Sequence, residues 1–195
     1  TLKVSIKDCL KELQNLGWTV EQDKDIPEVV YIDGHQGHLE KAKPVIEGHI
    51  TFMDKASMLV AHVVDPQPGD RVLDCCAAPG GKSMHMASLM NNTGAIMSCD
   101  IYDHKLELMN QNAERLGVSI VTTKLQDGRY LPDNWKEQFD RVLVDAPCSG
   151  LGILQKKLDM RWRKTEDLLN ELPPLQLEIL EKASEMVKAN GYLVY

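Results

Sequence analysis

From Arg71 onward, short apolar runs alternate with longer stretches of helical spacing. "RVLDC" reads as a buried strand, and "GGKSMHMASLM" carries apolar residues at helical intervals behind two glycines. "GAIMSCD" is a second strand, and "DHKLELMNQNAERLG" a helix whose Gly117 suits its C-terminal end. "VSIVTTK" and "FDRVLVD" predict two more strands. Thr165–Asn190 is amphipathic and interrupted at Pro173-Pro174; Gly191 is expected to end that helix, and Tyr192–Tyr195 to form a fifth strand. Strands alternating with helices predict an α/β fold, a doubly wound, mostly parallel sheet covered on both faces.

Residues 1–48 follow another rhythm. "SIKDCLKELQNLG" is an amphipathic helix, and "WTVEQ" and "EVVYI" are short strands flanking a polar turn. The expected organisation is a small α+β subdomain over residues 1–48, packed on the main sheet, and the larger unit over residues 49–195. The chain opens on Thr1 and stops at the last predicted strand, so it is expected to be a piece of a longer protein, incomplete at its C-terminus.

Composition narrows the class. At 195 residues and 43% apolar content the chain can bury a real core. It has no apolar run of membrane-spanning length and no leader-like start, so no membrane partner and a cytoplasmic location are expected. Five cysteines argue against a disulfide framework. Adjacent Cys75 and Cys76 lack zinc-knuckle or redox-pair spacing, and the six histidines are scattered, so no metal site is expected. Cys9, Cys75 and Cys99 read as core, and Met84, Met86 and Met90 as helix packing. A net charge of −7 does not suggest a nonspecific nucleic-acid binder, although a local patch can still supply positive charge.

The chemistry concentrates in "LDCCAAPGGKS", between the first strand of the sheet and its helix. That is where doubly wound sheets bind ligands. Small residues let a ligand approach the backbone, and the amides at the helix start favour an anionic group. "CAAPGGKS" misses the P-loop pattern only at Cys76, and the dinucleotide pattern G-x-G-x-x-G is absent. S-adenosylmethionine is the third candidate. Asp100 ends the second strand about 20 residues past the loop, where a carboxylate can accept from ribose hydroxyls. Asp127 follows the third strand, toward the adenine end, and Asp145 follows the fourth, near the sulfonium. Three acids on successive strand ends suit a cationic nucleoside cofactor better than a triphosphate. Each also has a plain structural reading, as a turn or helix cap.

"DxCAAPGGK" together with "DAPCSG" resembles the RNA cytosine-5 methyltransferases of the NOP/Sun family, and within it the bacterial RsmB (Sun/Fmu) ribosomal RNA branch. "TFMDKASML" and "LDMRWRKTEDL" resemble further segments of that family, so the likeness runs from about Gly48 to Tyr195. Residues 1–48 match its RNA-recognition-like subdomain only by position and pattern. The resemblance implies a Rossmann-like, S-adenosylmethionine-dependent fold and methylation of C5 of a cytidine in small-subunit ribosomal RNA. It implies a cofactor loop of Cys76, Ala77, Ala78, Pro79, Gly80, Gly81 and Lys82, with Asp100 at the ribose and Asp127 beside the adenine. Asp145 falls at the junction of cofactor and base. The branch usually carries a NusB-like RNA-binding domain ahead of this region, and nothing demands an oligomer, so a monomer is expected.

Cytosine C5 becomes nucleophilic only after something adds at C6, and a soft thiolate is the suitable attacker. Cys148 in "DAPCSG" resembles the Pro-Cys nucleophile of DNA cytosine-5 methyltransferases. In the RNA family the nucleophile is a second cysteine, after the next strand, which would fall beyond Tyr195. Cys148 is therefore assigned an accessory catalytic role in product release, with a buried inert thiol as the plain alternative. The chain as given is expected to bind cofactor without turnover. Lys156, Lys157, Arg161 and Arg163 surround Trp162, combining phosphate contacts with a stacking surface for RNA; a solvated charged loop is the other reading. The family usually shows Arg-Arg-x-Pro-Asp here, and this chain has Gln155-Lys156-Lys157-Leu158-Asp159 without the proline. Three other functions stay open: a methyltransferase on another nucleic acid with Cys148 as nucleophile, a P-loop-like nucleotide binder, and a noncatalytic RNA-binding module.

Overall fold

The computed structural model describes residues 2–34, 37–150 and 167–195. Five parallel strands form the main sheet: β3 (Arg71–Asp74), β4 (Ala95–Asp100), β5 (Val121–Leu125), β6 (Phe139–Leu143) and β7 (Val187–Val194). Their spatial order is β5-β4-β3-β6-β7. The chain starts in the middle, winds outward to β5, and returns to the other side of β3. β3 and β6 therefore flank the point where winding reverses, and their carboxyl ends open a crevice there.

Alternation sends neighbouring residues of one strand to opposite cores. On one face Val72, Ile96 and Leu143 pack with α3 (Lys55–Val64), α4 (Gly81–Leu89) and α5 (Asp103–Leu116). On the other, Leu73, Val142 and Val144 meet Ile179, Ala183 and Met186. The first two of these lie on α6 (Asp167–Ser184). Cys75 and Cys99 are buried in the second core, and Met84, Met86 and Met90 in the first, as their sequence positions suggest. Leu106, Met109, Ala113 and Leu116 form the buried stripe of α5, and Gly117 closes it in the left-handed region at φ 74°. Among the described residues no helix is long and apolar enough to cross a membrane.

The C-terminal region differs from the sequence expectation in two ways. α6 continues through Pro173 and Pro174, both exposed, because Ile179 and Ala183 supply a stripe that the sheet buries. The helix ends at Ser184, and Gly191 lies inside β7, which begins at Val187. Asn190-Gly191 is a bulge: the register slips between Phe139 and Arg141, and Asn190 has φ 67°. A Cβ on Gly191 would stand 2.7 Å from Val187 Cγ2 and 2.8 Å from the Asp140 carbonyl oxygen. The dipeptide that signals a helix stop thus serves a strand irregularity.

At the N-terminus, α1 (Ile6–Asn15) starts at Ser5, whose hydroxyl accepts from the Asp8 amide. It packs on the antiparallel pair β1 (Thr19–Gln22) and β2 (Val30–Asp33) around Cys9, Leu13 and Trp18. A one-turn helix, α2 (Lys43–Ile46), follows. These elements reach the rest of the molecule through its helices. Asp23 pairs with Lys55 of α3 at 2.6 Å, and Arg115 of α5 donates to the Val45 carbonyl at 2.7 Å.

Candidate active site

The loop from Cys75 to Gly80 leaves β3 and turns directly into α4. It is fastened on both sides. Cys75 N–H donates to the Leu143 carbonyl at 2.9 Å, Ala77 N–H to the Cys99 carbonyl at 2.8 Å, and Ala78 N–H to Asp100 Oδ2 at 3.2 Å. Ala78-Pro79 is a cis peptide. Gly80 caps α4 at φ 97°, ψ −2°, a conformation that favours glycine. Its missing side chain also lets the loop lie on α5, since a Cβ there would stand 2.8 Å from Met109 Cγ.

The strand-end acids converge on this loop. Asp100 accepts from Ala78 and from Tyr102 N–H, at 3.2 and 3.0 Å. Asp127 caps a turn of 3-10 helix and receives the Arg129 guanidinium on both oxygens, which lowers its pKa. Asp145, half exposed, is reached by Lys82 Nζ at 2.6 Å. That ion pair bridges the β3 and β6 sides of the crevice. So Asp100 and Asp127 do fill the capping roles of the plain reading, yet they remain at the crevice mouth, where one carboxylate can serve several donors.

The local charge registers on Cys76. Its thiol is pushed up to about 12, first by burial and then by Asp74, Asp100, Asp145 and Asp127. Burial thus keeps the Cys76 thiol protonated. Asp74 was not singled out in the sequence. It is buried at the end of β3 and accepts from Ser83 Oγ at 2.7 Å, which in turn accepts from Ser98 Oγ at 2.9 Å. Burial raises its pKa to about 6, and its Oδ1 has no hydrogen-bond partner among the described residues. An acid closing an apolar strand was the available signal.

Cys148 is exposed, which removes the buried-thiol reading. It shares the β6 loop with Asp145, and Gln176 of α6 steadies that loop by donating to the Pro147 carbonyl at 2.8 Å. The RNA candidates Lys156, Lys157, Arg161, Trp162 and Arg163 lie outside the described residues. A cavity of about 320 Å³ lies between the N-terminal elements and α4, on the side of α4 that carries Gly81, Met84 and His85.

The strand order, with a small-residue loop and acidic strand ends at its switch point, is that of a Rossmann-like methyltransferase fold. The chain belongs to the 16S rRNA methyltransferase RsmB/F family, which matches residues 61–195. It is 46% identical over 149 residues to the probable ribosomal RNA small subunit methyltransferase B of Bacillus subtilis, a match covering 76% of this chain and 33% of that protein. The probable methyltransferase B of Synechocystis sp. is 34% identical over 197 residues, covering 100% of this chain and 44% of the relative. A methyltransferase homolog protein from Pyrococcus horikoshii superimposes with a TM-score of 0.87 at 31% identity, covering 100% of this chain and 61% of that one. The chain thus spans between a third and a half of the length of these curated relatives.

Proposed function

We propose that the chain is the cofactor-binding part of an enzyme that methylates C5 of a cytidine in small-subunit ribosomal RNA. S-adenosylmethionine is the methyl donor in this reading. The observation that carries it is the small-residue loop Cys75–Gly80 at the switch point of the sheet, held by Asp100, with Asp127 and Asp145 following the strands β5 and β6. Carboxylates at these strand ends accept from ribose hydroxyls and suit a sulfonium cation better than a triphosphate. The relatives' names, ribosomal RNA small subunit methyltransferase B, support the substrate class.

In this reading the loop from Cys76 through Ala77, Ala78, Pro79, Gly80 and Gly81 to Lys82 cradles the cofactor. Its helix-start amides face the cofactor's carboxylate. Asp100 holds the ribose, Asp127 the adenine edge, and Asp145 the side nearest the target base. The cofactor supplies an electrophilic methyl group. The base is attacked at C6 by a thiolate from a cysteine beyond Tyr195. Cys148, exposed beside Asp145, assists when the C5 proton leaves and the thiolate is eliminated. Residues 1–48 form a flanking subdomain that meets RNA together with the basic stretch around Trp162, in a cytoplasmic protein.

The test is transfer of labelled methyl from S-adenosylmethionine to unmodified small-subunit ribosomal RNA, by this chain and by the protein extended past Tyr195. Product digestion should show 5-methylcytidine with the extended protein alone. Turnover by the 195-residue chain would make Cys148 the nucleophile. No 5-methylcytidine from either, with cofactor bound, would overturn the proposed reaction.

A further inference from the structure

Glu28, His62 and His85 are far apart in sequence and come from three elements: the β1–β2 connection, the last turn of α3, and α4. The fold brings their donor atoms within 4.8 Å of one another. His62 Nε2 lies 2.5 Å and His85 Nε2 2.9 Å from the same oxygen, Glu28 Oε1. The imidazole centroids are 5.4 Å apart with planes at 76°. His85 is nearly enclosed, with a side-chain exposure of 7%, and its Nδ1 has no partner among the described residues. Its ring is therefore held by its Nε2 contact and packing alone.

We propose that Glu28, His62 and His85 bind one Zn²⁺ ion, which fastens the β1–β2 hairpin to helices α3 and α4.

The spacing fits a tetrahedral ion. Two imidazoles on one zinc, with bonds of about 2.05 Å and ~1.1 Å from Nε2 to ring centre, place their centroids about 5.2 Å apart. The observed separation is 5.4 Å. Glu28 Oε1 stands near the point the ion would take, so the carboxylate must withdraw by about one metal–oxygen bond, ~2 Å. Glu28 is a flexible side chain on a connecting segment and can do so while its backbone stays. Two imidazoles and one carboxylate are a borderline N/O donor set suited to zinc. Glu28 and His85 also line the cavity of about 320 Å³, so a water or small ligand can complete the coordination from there. The plain alternative is a carboxylate accepting from both imidazoles, with no ion.

The 195-residue chain, stripped with chelator, is titrated with Zn²⁺ by calorimetry and with Co²⁺ by visible absorption. The expected result is one equivalent bound, with the absorption of a four-coordinate nitrogen–oxygen site and no sulfur charge-transfer band. At a hundredfold excess over Kd, Zn²⁺ should raise the Tm by about 5–10 °C. His62→Ala, at a partly exposed position, and Glu28→Gln should each weaken binding by more than the roughly 10–100-fold that loss of an outer-shell partner costs. His49→Ala, in the separate Glu12–Glu47–His49 cluster, should change nothing. No binding by the parent chain, binding kept in either His62→Ala or Glu28→Gln, or binding lost in His49→Ala alone would overturn the proposal. So would binding lost only in Cys148→Ser, which would move the ion to a thiol.

Discussion

Two adjacent glycines in the cofactor loop should respond in opposite ways to the same substitution. Gly80→Ala places a side chain at φ 97°, where an L-residue is strained by about 1–3 kcal/mol. Its Cβ would also stand 2.8 Å from Met109 Cγ and 3.2 Å from Cε, and Met109 is fully buried. Moving that side chain by several tenths of an ångström is overpacking, which costs about 1–3 kcal/mol. The sum is a loss of about 2–6 kcal/mol. Gly81 begins α4 with an ordinary φ, and a Cβ there would meet only Met53 at 3.8 Å. Gly81→Ala should therefore gain roughly 0.5–1 kcal/mol from the less flexible unfolded chain. Urea melts of both variants at matched m-value measure this directly. Gly80→Ala within ~0.5 kcal/mol of the parent, or Gly81→Ala as damaging as Gly80→Ala, would refute the steric account of the loop.

Asp74 supplies a pH prediction. Its folded pKa of about 6 lies above the usual aspartate value, so the native state binds the proton more tightly than the unfolded chain does. That contribution is present in full at low pH and is lost as pH rises from about 4 to about 6, by about 3 kcal/mol. Stability measured against pH for the parent and Asp74→Asn should show the variant gaining on the parent through that window; parallel curves would contradict it. Lys82→Ala should cost at most about 1 kcal/mol of stability, because Asp145 is half exposed; a larger loss in the melt would show the pair to be structural. Cys148→Ser, in the protein extended past Tyr195, should trap a covalent RNA adduct visible on a denaturing gel. Absence of adduct with normal turnover would remove Cys148 from product release.

The strands and helices from Arg71 to Leu143 were legible because local signals agree there: apolar runs of strand length, helical spacing in α4 and α5, and Gly117 at a helix end. The site loop was legible for the same reason, since it sits where a strand meets a helix. Legibility failed where tertiary packing outvotes local preference. Pro173-Pro174 reads as a break, yet the buried stripe of α6 keeps the helix whole. Asn190-Gly191 reads as a stop, yet it is a bulge against β6. The pairing Lys82–Asp145 follows from which loops the sheet order brings together, and spacing carries no trace of it. The Glu28–His62–His85 cluster is the extreme case, three residues on three elements with no local pattern.

The central feature of the site is a crevice between acidic strand ends that accepts a cationic nucleoside. The decisive measurement is calorimetric titration of the 195-residue chain with S-adenosylmethionine and, separately, with magnesium-ATP. One equivalent of S-adenosylmethionine should bind, ATP should not, and Asp100→Ala should weaken the cofactor by about 10–100-fold through loss of a charge-assisted hydrogen bond. Binding of magnesium-ATP in place of S-adenosylmethionine would contradict the account and turn the loop into a variant phosphate cradle.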